Sequence, residues 1–70
     1  SKLLISDVGC GVVFLRSALI AGKLNVVINL NTIKDQEFIS KTKKEMDNLV
    51  EEGIKIADEV YQSVLSQLLK

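Results

Sequence analysis

From Ser6 to Leu30 the chain reads SDVGCGVVFLRSALIAGKLNVVINL, a stretch without proline that is apolar nearly all the way round a helical wheel. At about 100° per residue, Asp7, Gly11, Ala18, Gly22, Asn25 and Asn29 fall into one narrow stripe. Apart from Ser17, the other polar residues around it are Arg16 and Lys23, which share the far side. The β-branched run NVVINL would suit a strand in isolation, but its two asparagines continue the helical stripe instead of alternating with apolar neighbours. We therefore expect one helix over Ser6–Leu30, with Ser6 and Asp7 as capping residues at its start. A helix hydrophobic on almost every side needs cover from other helices. Its Gly and Ala positions let another backbone approach closely, while Asp and Asn supply hydrogen-bonding groups. Two readings of the stripe stay open: a tight helix–helix seam, or one wall of a polar site.

The segment NTIKD interrupts this pattern. Thr32 followed three residues later by Asp35 resembles a capping box, with an acid facing the helix dipole. A second, amphipathic helix is expected from Thr32 to Leu69. Met46, Val50, Ala57, Val60 with Tyr61, Val64 and Leu68 recur along it at three-, four- and seven-residue steps. The run KTKKEMDNLVEE reads as its solvated face, and Glu37–Lys41 and Glu51–Lys55 have the spacing of favourable ion pairs. Gly53 lowers helix propensity by about 1 kcal/mol relative to Ala, which close packing at a crossing would explain. The fold class expected is all-α: a long helical hairpin forming part of a multi-helix bundle, in a dimeric or higher assembly.

The opening letters LLISDVGCG could also begin a strand–loop–helix cofactor site. That reading is weak. A single βαβ unit takes roughly thirty residues or more and a doubly wound fold needs several, whereas the chain has 70. Val13 and Phe14 stand where a nucleotide loop needs its third glycine. Nine basic residues balance nine acidic ones, so nothing in the charge favours nucleic acid. With no His and one Cys, an internal disulfide is impossible and a protein-built metal site is not expected. Cys10 is expected to pack as a small hydrophobe. Val8–Leu30 has the length of a membrane span, but a central Arg costs about 2.5–3.5 kcal/mol on insertion scales. A buried helix in a soluble protein, with no membrane partner, is the expectation.

Three pieces of the sequence, taken together, resemble a known family: Ser6-Asp7-Val8-Gly9, Leu24-Asn25-Val26-Val27-Ile28-Asn29-Leu30, and Ile33-Lys34-Asp35. Their order and spacing are similar to the C-terminal part of the cyclodeaminase/cyclohydrolase enzymes of folate one-carbon metabolism, with a resemblance that fades after about Ile56. That family is all-helical and dimeric. The resemblance implies a C-terminal helical hairpin spanning residues 1–70, as a fragment or truncated form of a longer domain whose upstream helices complete the site. Ser1 in place of an initiating Met fits that expectation.

The reaction implied expels ammonia from 5-formimidoyltetrahydrofolate to close the 5,10-methenyl ring, or opens that ring with water to 10-formyltetrahydrofolate. Both need proton transfer beside one amidine-like carbon, and a carboxylate on a dry helical wall can supply it. Asp7 is the candidate catalytic residue, with an N-cap as its structural alternative. Asn25 and Asn29 would bind the substrate through the pterin or amide edges of folate, or else bond neighbouring helices. Arg16 and Lys23, away from the stripe, suit a surface or subunit interface. The resemblance further implies a tetrahydrofolate derivative as substrate, no covalently bound cofactor, a cytoplasmic setting and a homo-oligomer joined through the apolar first helix. A reading from a different class is a non-catalytic helical-hairpin oligomerisation module.

Overall fold

The computed structural model describes residues 1–70. It contains two helices and no strand: α1, Lys2–Leu30, and α2, Gln36–Leu68. They lie side by side as an antiparallel hairpin of 53 × 15 × 12 Å. The β-branched run at Asn25–Leu30 is helical, as its spacing required.

Both helix starts differ from the sequence expectation. The first begins at Lys2 instead of Ser6, because the Ser1 hydroxyl accepts from the Leu4 amide at 3.4 Å and Lys2–Ile5 already continue the turn. Ser6 and Asp7 are therefore interior positions of α1 and cap nothing. The second begins at Gln36 instead of Thr32. Its N-cap is Asp35, whose carboxylate accepts from the Phe38 amide at 3.1 Å. Thr32 belongs to the end of α1, where its hydroxyl donates to the Asn29 carbonyl at 2.9 Å. The amides of Thr32 and Ile33 likewise donate to Asn29 and Leu30 carbonyls. Residues 31–33 thus satisfy the open carbonyls of α1, and only after them can a new helix start.

The two helices meet along a seam with coiled-coil spacing. On α1 the seam runs through Ile5, Gly9, Val12, Arg16, Leu19, Lys23, Val26 and Leu30, all half-covered or buried and spaced in alternating steps of four and three. Met46, Val50, Gly53, Ala57, Val60, Val64 and Leu68 answer them from α2. Tyr61, expected on this face, is instead 40% exposed on the flank. Two glycines set the spacing of the seam. A Cβ on Gly53 would lie 2.6 Å from Leu19 Cδ1, and one on Gly9 would lie 3.0 Å from Val64 Cγ1. The close packing expected at Gly53 is present.

Two ion pairs also cross the hairpin. Arg16 Nε donates to Asp58 Oδ1 at 2.9 Å, and Lys23 Nζ lies 3.3 Å from Asp47 Oδ1. These side chains reach across to α2 at the edge of the seam and remain 41% and 44% exposed. The i,i+4 pairs expected at Glu37–Lys41 and Glu51–Lys55 do not close, since both ion pairs are interhelical. Exposed pairs of this kind contribute about 0.2–1 kcal/mol each, so they fix register more than stability.

Burial is scant. Only Gly9, Leu30, Ala57 and Val64 are buried. On α1, Leu3, Leu4, Val8, Val13, Phe14, Leu15, Ile20, Leu24 and Ile28 are all exposed large apolar residues. The hairpin covers one side of α1, and the remaining sides have no partner within this chain. By length and apolarity α1 could also cross a membrane.

Candidate functional site

The small-and-polar stripe lies on α1 away from α2. Asp7, Ala18, Gly22, Asn25 and Asn29 are exposed, and Gly11 is half-buried. A Cβ added at Gly11 or Gly22 would meet nothing within 4 Å. Those glycines accommodate no neighbour inside the hairpin, in contrast to Gly9 and Gly53.

Asn29 Nδ2 donates to the Asn25 carbonyl at 2.9 Å, one turn back along α1. This leaves its second N–H and its amide oxygen free to bind elsewhere. Asp7 accepts no hydrogen bond within the chain and takes part in neither ion pair. Its carboxylate is open to whatever approaches the stripe. The distance between the candidates matters most. At 1.5 Å per residue, Asp7 and Asn25 are about 27 Å apart along α1, and Asp7 and Asn29 about 33 Å. One straight helix cannot bring both ends of the stripe to one small reacting centre.

Two apolar grooves run along the flank where the stripe approaches α2. One, of 440 Å³, is lined by residues including Val12, Leu15, Ala18, Gly53, Ile56 and Val60. The other, of 430 Å³, includes Ala18, Gly22, Val26, Met46 and Leu49. Ala18 and Leu19 are common to both. A third groove on the opposite flank, 260 Å³, lies between Cys10, Val13 and Phe14 of α1 and Tyr61, Leu65 and Leu68 of α2. Cys10 is exposed there, not packed as a core residue. No three acidic or Cys side chains gather where they could hold a metal ion. The grooves were not foreseeable from the stripe alone, because they depend on which side of α1 the second helix covers. The alternating four- and three-residue seam through Arg16 and Lys23 was the signal for that side.

The family model for formiminotransferase-cyclodeaminase matches residues 1–48, more than half of the chain. The chain belongs to that family. No curated protein and no solved structure matches it. The formiminotransferase-cyclodeaminase match contains all of α1, the connection and the first part of α2, and so holds Asp7, Asn25 and Asn29. It ends at residue 48, before Ile56, where the motif resemblance fades. The charged half of the α1–α2 seam divides across that boundary: Lys23 pairs with Asp47 inside it, and Arg16 with Asp58 beyond it.

Proposed function

We propose that this chain supplies one wall of a folate site in a cyclodeaminase or methenyltetrahydrofolate cyclohydrolase, acting at the 5,10-methenyl carbon. The observation that carries the reading is the family match over residues 1–48, which spans the stripe bearing Asp7, Asn25 and Asn29. The substrate would be a tetrahydrofolate derivative, with no covalently attached cofactor. Asp7 would move a proton to or from the leaving nitrogen or the attacking water. Asn25 and Asn29, too far along α1 to reach the substrate that Asp7 of the same chain would meet, would present amide groups to the pterin and amide edges of a substrate bound at the other end of the stripe. The apolar surface of α1 would be covered by other helices or by further copies of the chain, in a cytoplasmic homo-oligomer without nucleic-acid or membrane partners. Arg16 and Lys23, which a membrane would disfavour, are held by the carboxylates of α2.

The test is an absorbance assay with 5,10-methenyltetrahydrofolate and its formimidoyl precursor, comparing the full-length protein with its Asp7→Asn variant. Asp7 caps nothing and Asn has a similar helix propensity, so folding should be preserved. Loss of a proton-transfer group should slow turnover by about 10²–10⁴-fold. Near-normal turnover would remove Asp7 from the chemistry. A second reading, a hairpin module that only assembles, is favoured by the bare apolar surface of α1. Absence of turnover of either folate by the full-length protein would select it.

A further inference from the structure

A second line of side chains runs along α2, beside the two grooves that share Ala18. Glu45, Leu49, Glu52, Ile56 and Glu59 follow one another in alternating steps of four and three, and all five are exposed. That is the spacing of a helix–helix seam, yet it lies outside the seam with α1. Leu49 and Ile56 are 68% and 52% exposed. The three glutamates recur every seven residues as an acidic edge, and neither ion pair of the hairpin uses them. We propose that this face, with the grooves it borders, docks an amphipathic helix of a different protein, one that carries basic residues every seven positions along one edge.

The shape suits a helix. The grooves of 440 and 430 Å³ meet at Ala18 and Leu19 and so form one trough. At 1.5 Å per residue, the edge from Glu45 to Glu59 is about 21 Å long, or about four turns. On the α1 side the wall is low at Ala18 and Gly22, and a Cβ at Gly22 would meet nothing within 4 Å. A third backbone can therefore come close there. On the α2 side Leu49 and Ile56 offer apolar contacts. Arg16 and Lys23 reach the trough but are tied to Asp58 and Asp47. Lys41 and Lys55, each four residues before a glutamate of the edge, form no ion pair with it.

Charge selects the occupant. Glutamates flanking an apolar helical seam pair with Lys or Arg of a partner helix and set partner choice. The same edge repels an anionic membrane surface. A second copy does not supply the match. Within its helices the chain has one basic pair seven residues apart, Arg16 and Lys23, and the aspartates of α2 hold both. The docking face is independent of the folate reading, since Asp7, Asn25 and Asn29 line neither groove.

Two synthetic helical peptides of about 21 residues, three heptads each, test the docking. They share a leucine stripe and differ along one edge, which carries Lys every seven residues in one and Glu in the other. Fluorescence anisotropy follows each peptide on addition of the full-length protein. The Lys-edged peptide should bind about ten-fold tighter than the Glu-edged one or better, and its advantage should shrink as salt is raised. Glu45→Lys, Glu52→Lys and Glu59→Lys together should reverse the preference. Should that variant lose helix content, the corresponding Gln variant should bind both peptides equally. Leu49→Asp, at an exposed position, should weaken binding of the Lys-edged peptide. Equal binding of the two peptides to the unaltered protein, or binding of neither, would overturn the proposal. So would an unchanged preference in the charge variants, or no effect of Leu49→Asp. Binding to the 70-residue chain but not to the full-length protein would show the trough filled by a helix of the same protein, which also overturns it.

Discussion

Gly9 and Val64 offer a sharp test of how the two helices are held apart. Replacing Gly9 by Ala has two opposed effects. It gains about 1 kcal/mol of helix propensity, and it forces a methyl to within 3.0 Å of Val64 Cγ1. Val64 cannot easily give way. It is 8% exposed, and a β-branched residue in a helix has one strongly preferred rotamer. Overpacking of that kind costs about 1–3 kcal/mol, so Gly9→Ala should be neutral or destabilising by up to about 2 kcal/mol. In a Val64→Ala background the obstruction is gone. There Gly9→Ala should stabilise by about 1 kcal/mol or more, since the new methyl also fills vacated space. Propensity is the same in both backgrounds, so the coupling of about 1–3 kcal/mol isolates the contact. Urea unfolding followed by far-ultraviolet circular dichroism would measure it, at fixed protein concentration because association shifts apparent stability. An identical effect of Gly9→Ala in both backgrounds would refute the packing of α1 on α2 at this point.

Asp35→Ala should cost about 1 kcal/mol as a lost N-cap, whereas Thr32→Ala, which removes an exposed bond to a carbonyl, should cost clearly less by the same unfolding measurement. A larger loss at Thr32 would restore Thr32 as the start of α2. A double-mutant cycle on Arg16 and Asp58 should give a coupling of about 0.2–1 kcal/mol that shrinks as salt is raised; no coupling at low salt would show the pair is not formed in solution. Replacing Gly53 by Val should destabilise the hairpin, and a simultaneous Leu19→Ala should recover part of the loss, because Leu19 occupies the space. Failure of Leu19→Ala to help would place the clash elsewhere.

Helical periodicity carried most of the fold. The NVVINL run is β-branched, yet its asparagines keep the stripe that Asp7 begins, and α1 runs through them unbroken. Gly53 had only a packing rationale in the sequence, and Leu19 supplies it. The helix ends were less legible, because Ser, Thr and Asp that can cap are chemically the same when they do not. Ser1 caps where Ser6 was expected, and Asp35 caps where Thr32 was expected. What separates them is whether the backbone amides are already bonded to the preceding helix, as those of Thr32 and Ile33 are. The partners of Arg16 and Lys23 were not legible for a related reason. Their acceptors, Asp58 and Asp47, are far along the chain, and only the register of the hairpin brings them together. The stripe itself was visible, including Asp7, Asn25 and Asn29. Its separation from α2 was harder to read, since on a helix apolar nearly all round the only mark of the covered side is the four- and three-residue seam through Arg16 and Lys23.

The bare surface of α1 has one direct consequence. Each large apolar side chain left in water forgoes about 1.5–3 kcal/mol, and nine of them on α1 are exposed in the single hairpin. Together they exceed the whole stability expected of a domain this size, about 5–15 kcal/mol at most. Sedimentation equilibrium at micromolar concentration, with helix content read on the same sample, measures whether that surface is covered. A helical dimer or larger assembly is expected; a folded, stable monomer would contradict it.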